Sequence, residues 1–234
     1  MKLAIVIPSY NERQNIEALI NQVFKVFPEA SVVVVDDNSP DGTPALIRQL
    51  AKKYRNLHLI LRKNKQGRGS AVIRGLAFAQ EKLKAEIFVE MDADCSHDPE
   101  ELPDLLKQAD ARTVVIGSRY VKGARIINWP QARLISSRLA NCLIRLVLGL
   151  SVRDNTNGFR VYSPAAVAIL LKHHFVSKGY ISLSEISYLL SQRGFRLIEV
   201  PTVFTNRVTG KSNATIREFF DSIINLFRIR LRVR

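Results

Sequence analysis

Residues 31–43 read Ser-Val-Val-Val-Val-Asp-Asp-Asn-Ser-Pro-Asp-Gly-Thr. Four consecutive valines suit a strand that is buried on both faces, because β-branched side chains fit a pleated surface and alternate to its two sides. Asp36 and Asp37 close the run, and Ser39-Pro40-Asp41-Gly42 is turn chemistry. A helix to about Tyr54 follows, with Asp41 or Thr43 as candidate cap. The same strand-then-helix unit recurs outward. Leu3–Pro8, Leu57–Leu61, Glu86–Met91 and Thr113–Gly117 are further apolar strands. Asn11–Phe27, stopped by Pro28, then Ser70–Leu83 and Pro99–Gln108 carry helical patterns. Continuously apolar strands separated by helices give an α/β protein with a mostly parallel central sheet flanked by helices. Ligands of such sheets bind outside the carboxyl ends of the strands. The places to look therefore follow Pro8, Val35, Met91 and Gly117.

The second half is less regular. Helices are expected at Gln131–Leu150, Pro164–His173, Tyr180–Gln192 and Thr215–Arg232. A strand is expected at Arg196–Phe204, with Pro201 near its end, and a polar loop at Asp154–Phe159. No repeat or linker interrupts the chain, so residues 1–234 read as a single domain. A chain of 234 residues with 47% hydrophobic side chains can bury a core without disulfides or metal staples. Two cysteines, Cys95 and Cys142, make no disulfide scaffold. The N-terminus lacks the long apolar stretch of a signal peptide, and no run is long enough to span a bilayer. The expected compartment is cytoplasmic.

Charge is unevenly spread. Residues 1–110 hold 15 Lys/Arg against 16 Asp/Glu, whereas residues 111–234 hold 20 against five. No acidic residue lies between Asp110 and Asp154. Such a basic half implies an anionic partner, either nucleic acid, a phosphorylated substrate or a membrane surface, unless it is a solubilising face.

Three acidic groups fall at expected strand ends: Glu12, Asp36-Asp37 and Asp92-Ala93-Asp94. Each alone is ordinary helix-cap or turn chemistry. Two carboxylates two residues apart on a turn can both reach one hard divalent cation. Mg²⁺ or Mn²⁺ held in this way keeps waters and takes phosphate oxygens from a substrate. A nucleoside-diphosphate donor fits, since its diphosphate leaves as an anion that the metal stabilises.

The strings IPSYNE, VVDDNSPDGT, QGRGSAVIRG, MDADCSHDPEEL, IGSRY, WPQAR, DNTNGFR, KGY, EVP and NRVTGKS occur in this order across the whole chain. Together they resemble the dolichol-phosphate (polyprenyl-phosphate) mannosyltransferases, within the inverting family 2 glycosyltransferases. The resemblance implies a nucleotide-diphospho-sugar transferase (GT-A, Rossmann-like) fold. It implies that residues 1–118 form the nucleotide-sugar half and residues 119–234 a basic acceptor side ending in an amphipathic helix. It implies GDP-mannose as donor, a dolichyl or polyprenyl phosphate as acceptor, and Mg²⁺ or Mn²⁺ as cofactor.

The resemblance also carries over by position. Pro8, Tyr10 and Glu12 match residues bordering the guanosine, and Val35 and Asp37 match the second-strand end that holds the nucleoside. Asp92, Ala93 and Asp94 match the metal and diphosphate turn, with Ser96 as a further metal ligand. Arg119 matches the arginine of the G-S/T-R-Y string, Arg133 and Ser137 the acceptor-phosphate residues, and Arg207 the arginine of R-x-x-G-x-S-K. Asn213 stands where the family has lysine, and Lys211 is a candidate substitute. Ser182-Leu183 stand before Ser184-Glu185 where an aromatic-Gln pair is common in the family. The catalytic set under this reading is Asp94, Arg119 and Arg207.

An anionic acceptor oxygen needs positive charge rather than a general base, and Arg119, Arg133, Arg207 and Lys211 supply it. A hydroxyl acceptor would need a carboxylate such as Asp94. The basic amphipathic Thr215–Arg234 segment and Gln131–Leu150 either pack on the core or lie on a membrane. The chain ends in RLRVR, which leaves it peripheral, held by a membrane-anchoring subunit, or cut short. His97 is read as supporting the metal turn without ligating, and Trp129 as stacking on sugar or lipid or as core. Cys95 has acidic neighbours, which disfavour a thiolate. Three rivals remain: the same chemistry with UDP-glucose, an inactive scaffold, and a basic nucleic-acid-binding protein. The aromatics are not interleaved with basic residues as a single-strand-binding stripe requires, so no nucleic-acid partner is expected.

Overall fold

The computed structural model describes residues 2–177, 179, 181–206 and 216–233. Its strands are β1 (Leu3–Ser9), β2 (Ser31–Asp36), β3 (Leu57–Leu61), β4 (Ile87–Glu90), β5 (Thr113–Ser118), β6 (Arg125–Ile127), β7 (Arg160–Tyr162), β8 (Arg196–Pro201) and β9 (Val203–Thr205). Among the described residues, seven of them form one sheet in the order β3-β2-β1-β4-β7-β5-β8, and β6 pairs with β9 apart from it. All neighbours in the large sheet are parallel except β7, which runs antiparallel between β4 and β5. The sheet is therefore mostly parallel, as the strand pattern requires.

The helices are α1 (Ile16–Val26), α2 (Thr43–Lys53), α3 (Arg68–Glu81), α4 (Leu102–Leu106), α5 (Gln131–Leu148), α6 (Pro164–Lys172), α7 (Ser182–Gln192) and α8 (Ile216–Arg232). They cover both faces, and the two-residue period of the strands sorts the core in two. Ile5, Ile7, Val32 and Val34 meet Ile16, Leu19, Ile20 and Val23 of α1. Ala4, Val6, Val33 and Val35 meet Ala71, Val72, Leu76 and Ala79 of α3. Helix α3 comes so close that a Cβ on Gly75 would overlap a Val6 methyl. That approach brings its N-terminus down onto the ends of β2 and β4.

Several boundaries differ from the sequence reading. Helix α1 starts at Ile16 rather than Asn11. Asn11 takes a left-handed φ of 60°, and the amides of Asn11, Glu12 and Arg13 donate to Ser39, Thr43 and Asp41 side chains instead of entering a helix. The 99–108 helix divides into a 3₁₀ turn, Pro99–Glu101, and α4, whose Pro103 has no amide to donate. The expected strand Arg196–Phe204 breaks after Pro201, and β9 leaves the main sheet for β6. Strand β7 has no counterpart in the sequence reading. It is three residues long, too short for a periodicity to register.

Helix α5 ends at Gly149, whose left-handed φ of 67° lets its amide donate to Arg145 O. It buries Asn141, Ile144 and Leu148, and α8 packs along it. Helix α8 contributes Leu226 and Ile229 to the core, with Val233 just beyond its end. The same two helices expose Ile135, Leu139, Leu143 and Leu146, and Ile224, Phe227 and Leu231. Each of the two amphipathic segments thus packs one face on the core and leaves another apolar face exposed. Among the described residues, no helix is long and apolar enough to cross a membrane.

Candidate active site

The carboxyl ends of β1, β2, β4 and β5 line up at one edge, in register Pro8 with Val35 and Val6 with Glu90. Asp36 is spent on its own turn, accepting from the Ser39 amide and hydroxyl. Asp37 is buried, ion-paired with Arg62, and accepts from the Gln66 and Gly67 amides at 3.1 and 3.2 Å. It therefore ties the loop before α3 to the end of β2. The Val35 side chain points into the core beneath α3, which leaves only its backbone at this edge. Pro8 and Tyr10 border this edge half-buried, with Lys65 over the Tyr10 ring at 4.2 Å. The Glu12 carboxylate accepts from Asn15 Nδ2 at 2.8 Å.

After β4 the chain turns through Asp92, Ala93 and Asp94. The Arg68 guanidinium lies across this turn. Its Nε and Nη2 donate to Asp92 Oδ1 at 2.9 and 2.5 Å, and its Nη1 to Glu90 Oε1 at 2.5 Å. The other Glu90 oxygen accepts from the Tyr162 hydroxyl at 2.7 Å. Burial alone would raise the Asp92 carboxyl, but Arg68 and then His97 outweigh it and hold it below its ordinary value. Burial and the neighbouring Glu90 push the Tyr162 hydroxyl well up, so it stays a donor. Asp94 Oδ1 accepts from the Ser96 amide and hydroxyl at 3.2 and 2.5 Å. Ser96 is buried and orients Asp94 with its proton.

His97 packs beneath the Asp92 turn. Its Nδ1 accepts from the Asp92 amide, so its Nε2 carries the proton and donates to Asn157 Oδ1 at 2.6 Å. Cys95 sits exposed in the turn with a φ of 58°, and partial desolvation together with Asp94 and Glu12 raises its thiol. His173 reaches Glu185 at 2.9 Å behind α6 and takes no part at this edge.

On the far side of the edge stands the basic wall. Arg119 is buried, and its Nε and Nη2 grip Asp154 Oδ2 and Oδ1, both at 2.7 Å. Nη2 also donates to Thr156 Oγ1 at 2.7 Å. Trp129 lies between two cations, with Arg133 4.1 Å and Arg119 5.3 Å from its ring centre. Its edge meets Phe204, so Trp129 positions the wall as much as it lines it. Arg133 donates to Asn206 Oδ1, and Ser137 accepts from the Tyr120 hydroxyl at 2.6 Å. Arg207, Lys211 and Asn213 lie outside the described residues, as do Lys178 and Tyr180 of the K-G-Y string.

The segment from Asp154 to Arg160 joins the two sides; the sequence reads there as a polar loop and a string of the family resemblance, with no site residue of its own. Asp154 holds Arg119, Asn157 holds His97, and Phe159 stacks on the His97 ring. A Cβ on Gly158 would overlap Arg68 Nη2. Arg160, wholly buried, donates to Asn157 O, Leu183 O and Asn155 O and so straps the loop down. Arg68, Glu90, Asp154 and Asn157 are thus unread partners of the expected site residues. The available signal was the density of hydrogen-bonding side chains in DNTNGFR and the lone arginine of QGRGS.

Among the described residues, no group of three or more His, Cys, Asp or Glu side chains forms a cage for a metal. Two hard carboxylates on one turn instead suit a cation that keeps waters and binds substrate phosphates. The profile described as "Glycosyl transferase family 2" matches residues 4–170, from β1 into α6. The chain belongs to glycosyl transferase family 2. It is 39% identical over 92% of its length to the polyprenol monophosphomannose synthase of Mycolicibacterium smegmatis, covering 82% of that protein. It is 34% identical over its full length to the undecaprenyl-phosphate mannosyltransferase of Micrococcus luteus, covering 96% of it. As a family 2 member the chain is a glycosyltransferase. Among solved structures it resembles the mannosyltransferase PcManGT from Pyrobaculum calidifontis in complex with GDP-Man and Mn²⁺, with a TM-score of 0.68 at 19% identity over 99% of this chain and 64% of that one. It also resembles glucosyl-3-phosphoglycerate synthase from Mycobacterium tuberculosis, with a TM-score of 0.67 at 19% identity over 97% of this chain and 79% of that one. At that identity the likeness bears on the fold, and it agrees with the GT-A architecture expected from the sequence.

Proposed function

We propose that the protein transfers mannose, with inversion, from GDP-mannose to a polyprenyl phosphate at the cytoplasmic surface of a membrane. The observation that carries the reading is the pairing of the Asp92-x-Asp94 turn with an arginine wall on one sheet edge. It is supported by relatives named as a polyprenol monophosphomannose synthase and an undecaprenyl-phosphate mannosyltransferase, of which this chain covers 82% and 96%. Asp37 and the Pro8–Glu12 segment border the nucleoside. Asp92 and Asp94 hold Mg²⁺ or Mn²⁺, which when bound neutralises charge on the departing diphosphate. Ser96 fixes one Asp94 oxygen toward that task. The acceptor phosphate is already an anion, so no side chain needs to take its proton. Arg119, Arg133 and Ser137, with Arg207 and Lys211, draw it toward the sugar and screen its charge. The exposed apolar residues of α5 and α8 rest on the lipid surface, alone or beside an anchoring subunit.

Labelled GDP-mannose and a polyprenyl phosphate, with Mn²⁺ or Mg²⁺ and with EDTA as control, test this. Metal-dependent label in the organic phase is expected. Label from UDP-glucose but not from GDP-mannose would overturn the donor, and label that survives EDTA would overturn the metal.

A further inference from the structure

The outer side of α5 carries a second basic site, apart from the arginine wall. A shallow pocket of about 290 Å³ is lined by Tyr120, Arg138, Asn141, Cys142, Arg145 and Arg153. Three guanidinium groups face it and no carboxylate lines it. Among the described residues none of the three pairs with an Asp or Glu. Nearby acids are already committed: Asp154 to Arg119, and Glu199 to Ser118 and the Arg153 and Asp154 amides. Among the described residues the pocket thus gathers three guanidinium groups that no carboxylate pairs, and Arg forks suit phosphate oxygens.

Its place on the helix identifies the anion. At 100° per residue, Arg138, Cys142 and Arg145 form one stripe of α5. Ile135, Leu139 and Leu146 form the next stripe around, and Leu139 and Leu146 are 65% and 77% exposed. The third side is the buried seam of Asn141, Ile144 and Leu148. An apolar stripe at the depth of acyl chains, flanked by guanidinium groups one stripe higher, is the profile of a helix lying in a lipid interface. We propose that this pocket binds the phosphate headgroup of an anionic phospholipid of the bilayer, a lipid other than the acceptor. The inference rests on the membrane surface of the proposed function but not on its donor or acceptor. The Tyr120 ring separates the two sites: Arg138 lies 6.0 Å from its centre and Arg119 5.4 Å, while its hydroxyl donates to Ser137. A headgroup in the pocket would thus press on a residue that holds Ser137.

The test uses the full chain and vesicles of phosphatidylcholine with or without phosphatidylglycerol. Binding is read by flotation. Arg138→Gln, Arg145→Gln and Arg153→Gln should each lower partition onto the anionic vesicles by about fivefold, and the triple variant by about a hundredfold. A charge-matched triple variant at exposed positions on α2 and just after it, Arg48→Gln, Lys52→Gln and Arg55→Gln, should lose far less. Equal loss in both triple variants would overturn a specific site in favour of general attraction. Inorganic phosphate is titrated by calorimetry in parallel. Binding of free phosphate that depends on the same arginines, with no preference among vesicles, would overturn the lipid assignment. Transfer to a short-chain acceptor in detergent should be unchanged in the α5 triple variant, which separates this site from the catalytic reading. Loss of that transfer would place the pocket within the acceptor site and overturn the proposal.

Discussion

Arg119 and Asp154 show how a single pair limits what the site can do. Both are buried, and the two-pronged contact leaves Arg119 little freedom to reorient. Burial alone would raise the Asp154 carboxyl, but Arg119 outweighs it and holds it below its ordinary value of 3.8. A carboxylate held low in the folded chain contributes stability that is full above its unfolded value. That contribution is lost as the pH falls through the folded value. Replacing Asp154 by Asn leaves a buried guanidinium unpaired and should cost about 3–5 kcal/mol at pH 7. The gap between parent and variant should narrow as the pH falls below about 4, where the carboxyl of the unfolded parent takes up its proton, and close at lower pH as the folded one does. Urea unfolding at neutral and acid pH measures both, and a gap independent of pH would refute the pair's role. Asp94 presents the opposite case, since its orienting partner Ser96 is neutral. Asp94→Asn keeps that shape and removes the charge. Mannose transfer should fall by about a hundredfold or more with little change in thermal stability. Retained turnover would remove Asp94 from the metal and catalytic roles.

At the scale of elements, the DNTNGFR loop does most to assemble the site. It reaches Arg119, His97 and Arg68 from one strand connection. Gly158 is the tightest point, because a side chain there takes the space of the Arg68 guanidinium. Gly158→Ala should displace Arg68 from Asp92 and Glu90, destabilise the fold by about 1–3 kcal/mol, and lower transfer. Adding Arg68→Ala to that variant should relieve the overlap and leave transfer low, because Asp92 has lost its partner. Recovery of transfer in the double variant would show that Arg68 is only a space-filler. This loop also marks the limit of what was legible in the sequence. Strands β1 to β5 and the helices between them could be read because each buries a periodic apolar pattern. Asp92 and Asp94 could be read because a strand end next to paired carboxylates is a local pattern. Arg68, Glu90 and Asn157 could not, since their partners lie 22, 24 and 60 residues away and no spacing records such contacts. The three-residue β7 was hidden for a related reason. Its place between β4 and β5 rests on pairing with strands distant in the chain, which a three-residue stretch does not record.

For the whole molecule the governing quantity is charge and its placement. The chain carries a formal +14, and its acid-free stretch, residues 111–153, contains Arg119 and Arg133 as well as the α5 arginines. One half of the protein is therefore suited to anions, and the acceptor phosphate and the bilayer surface are the ones proposed for it. Two forces would act on the proposed membrane binding, and salt separates them. Apolar insertion of Leu139, Leu146, Phe227 and Leu231 is insensitive to screening. Attraction of the arginines is screened, with a Debye length of about 10 Å at 0.1 M and about 3 Å at 1 M. Partition onto anionic vesicles should fall by about tenfold or more over that range and then level off at the value set by the apolar residues. Leu139→Ser with Leu146→Ser should lower the plateau and leave the salt slope unchanged. Arginine substitutions should flatten the slope and leave the plateau in place. Vesicle flotation across a salt series reads both quantities at once. A plateau indistinguishable from zero in the parent would mean that the exposed leucines of α5 do not enter the bilayer. The surface would then hold its lipid by charge alone.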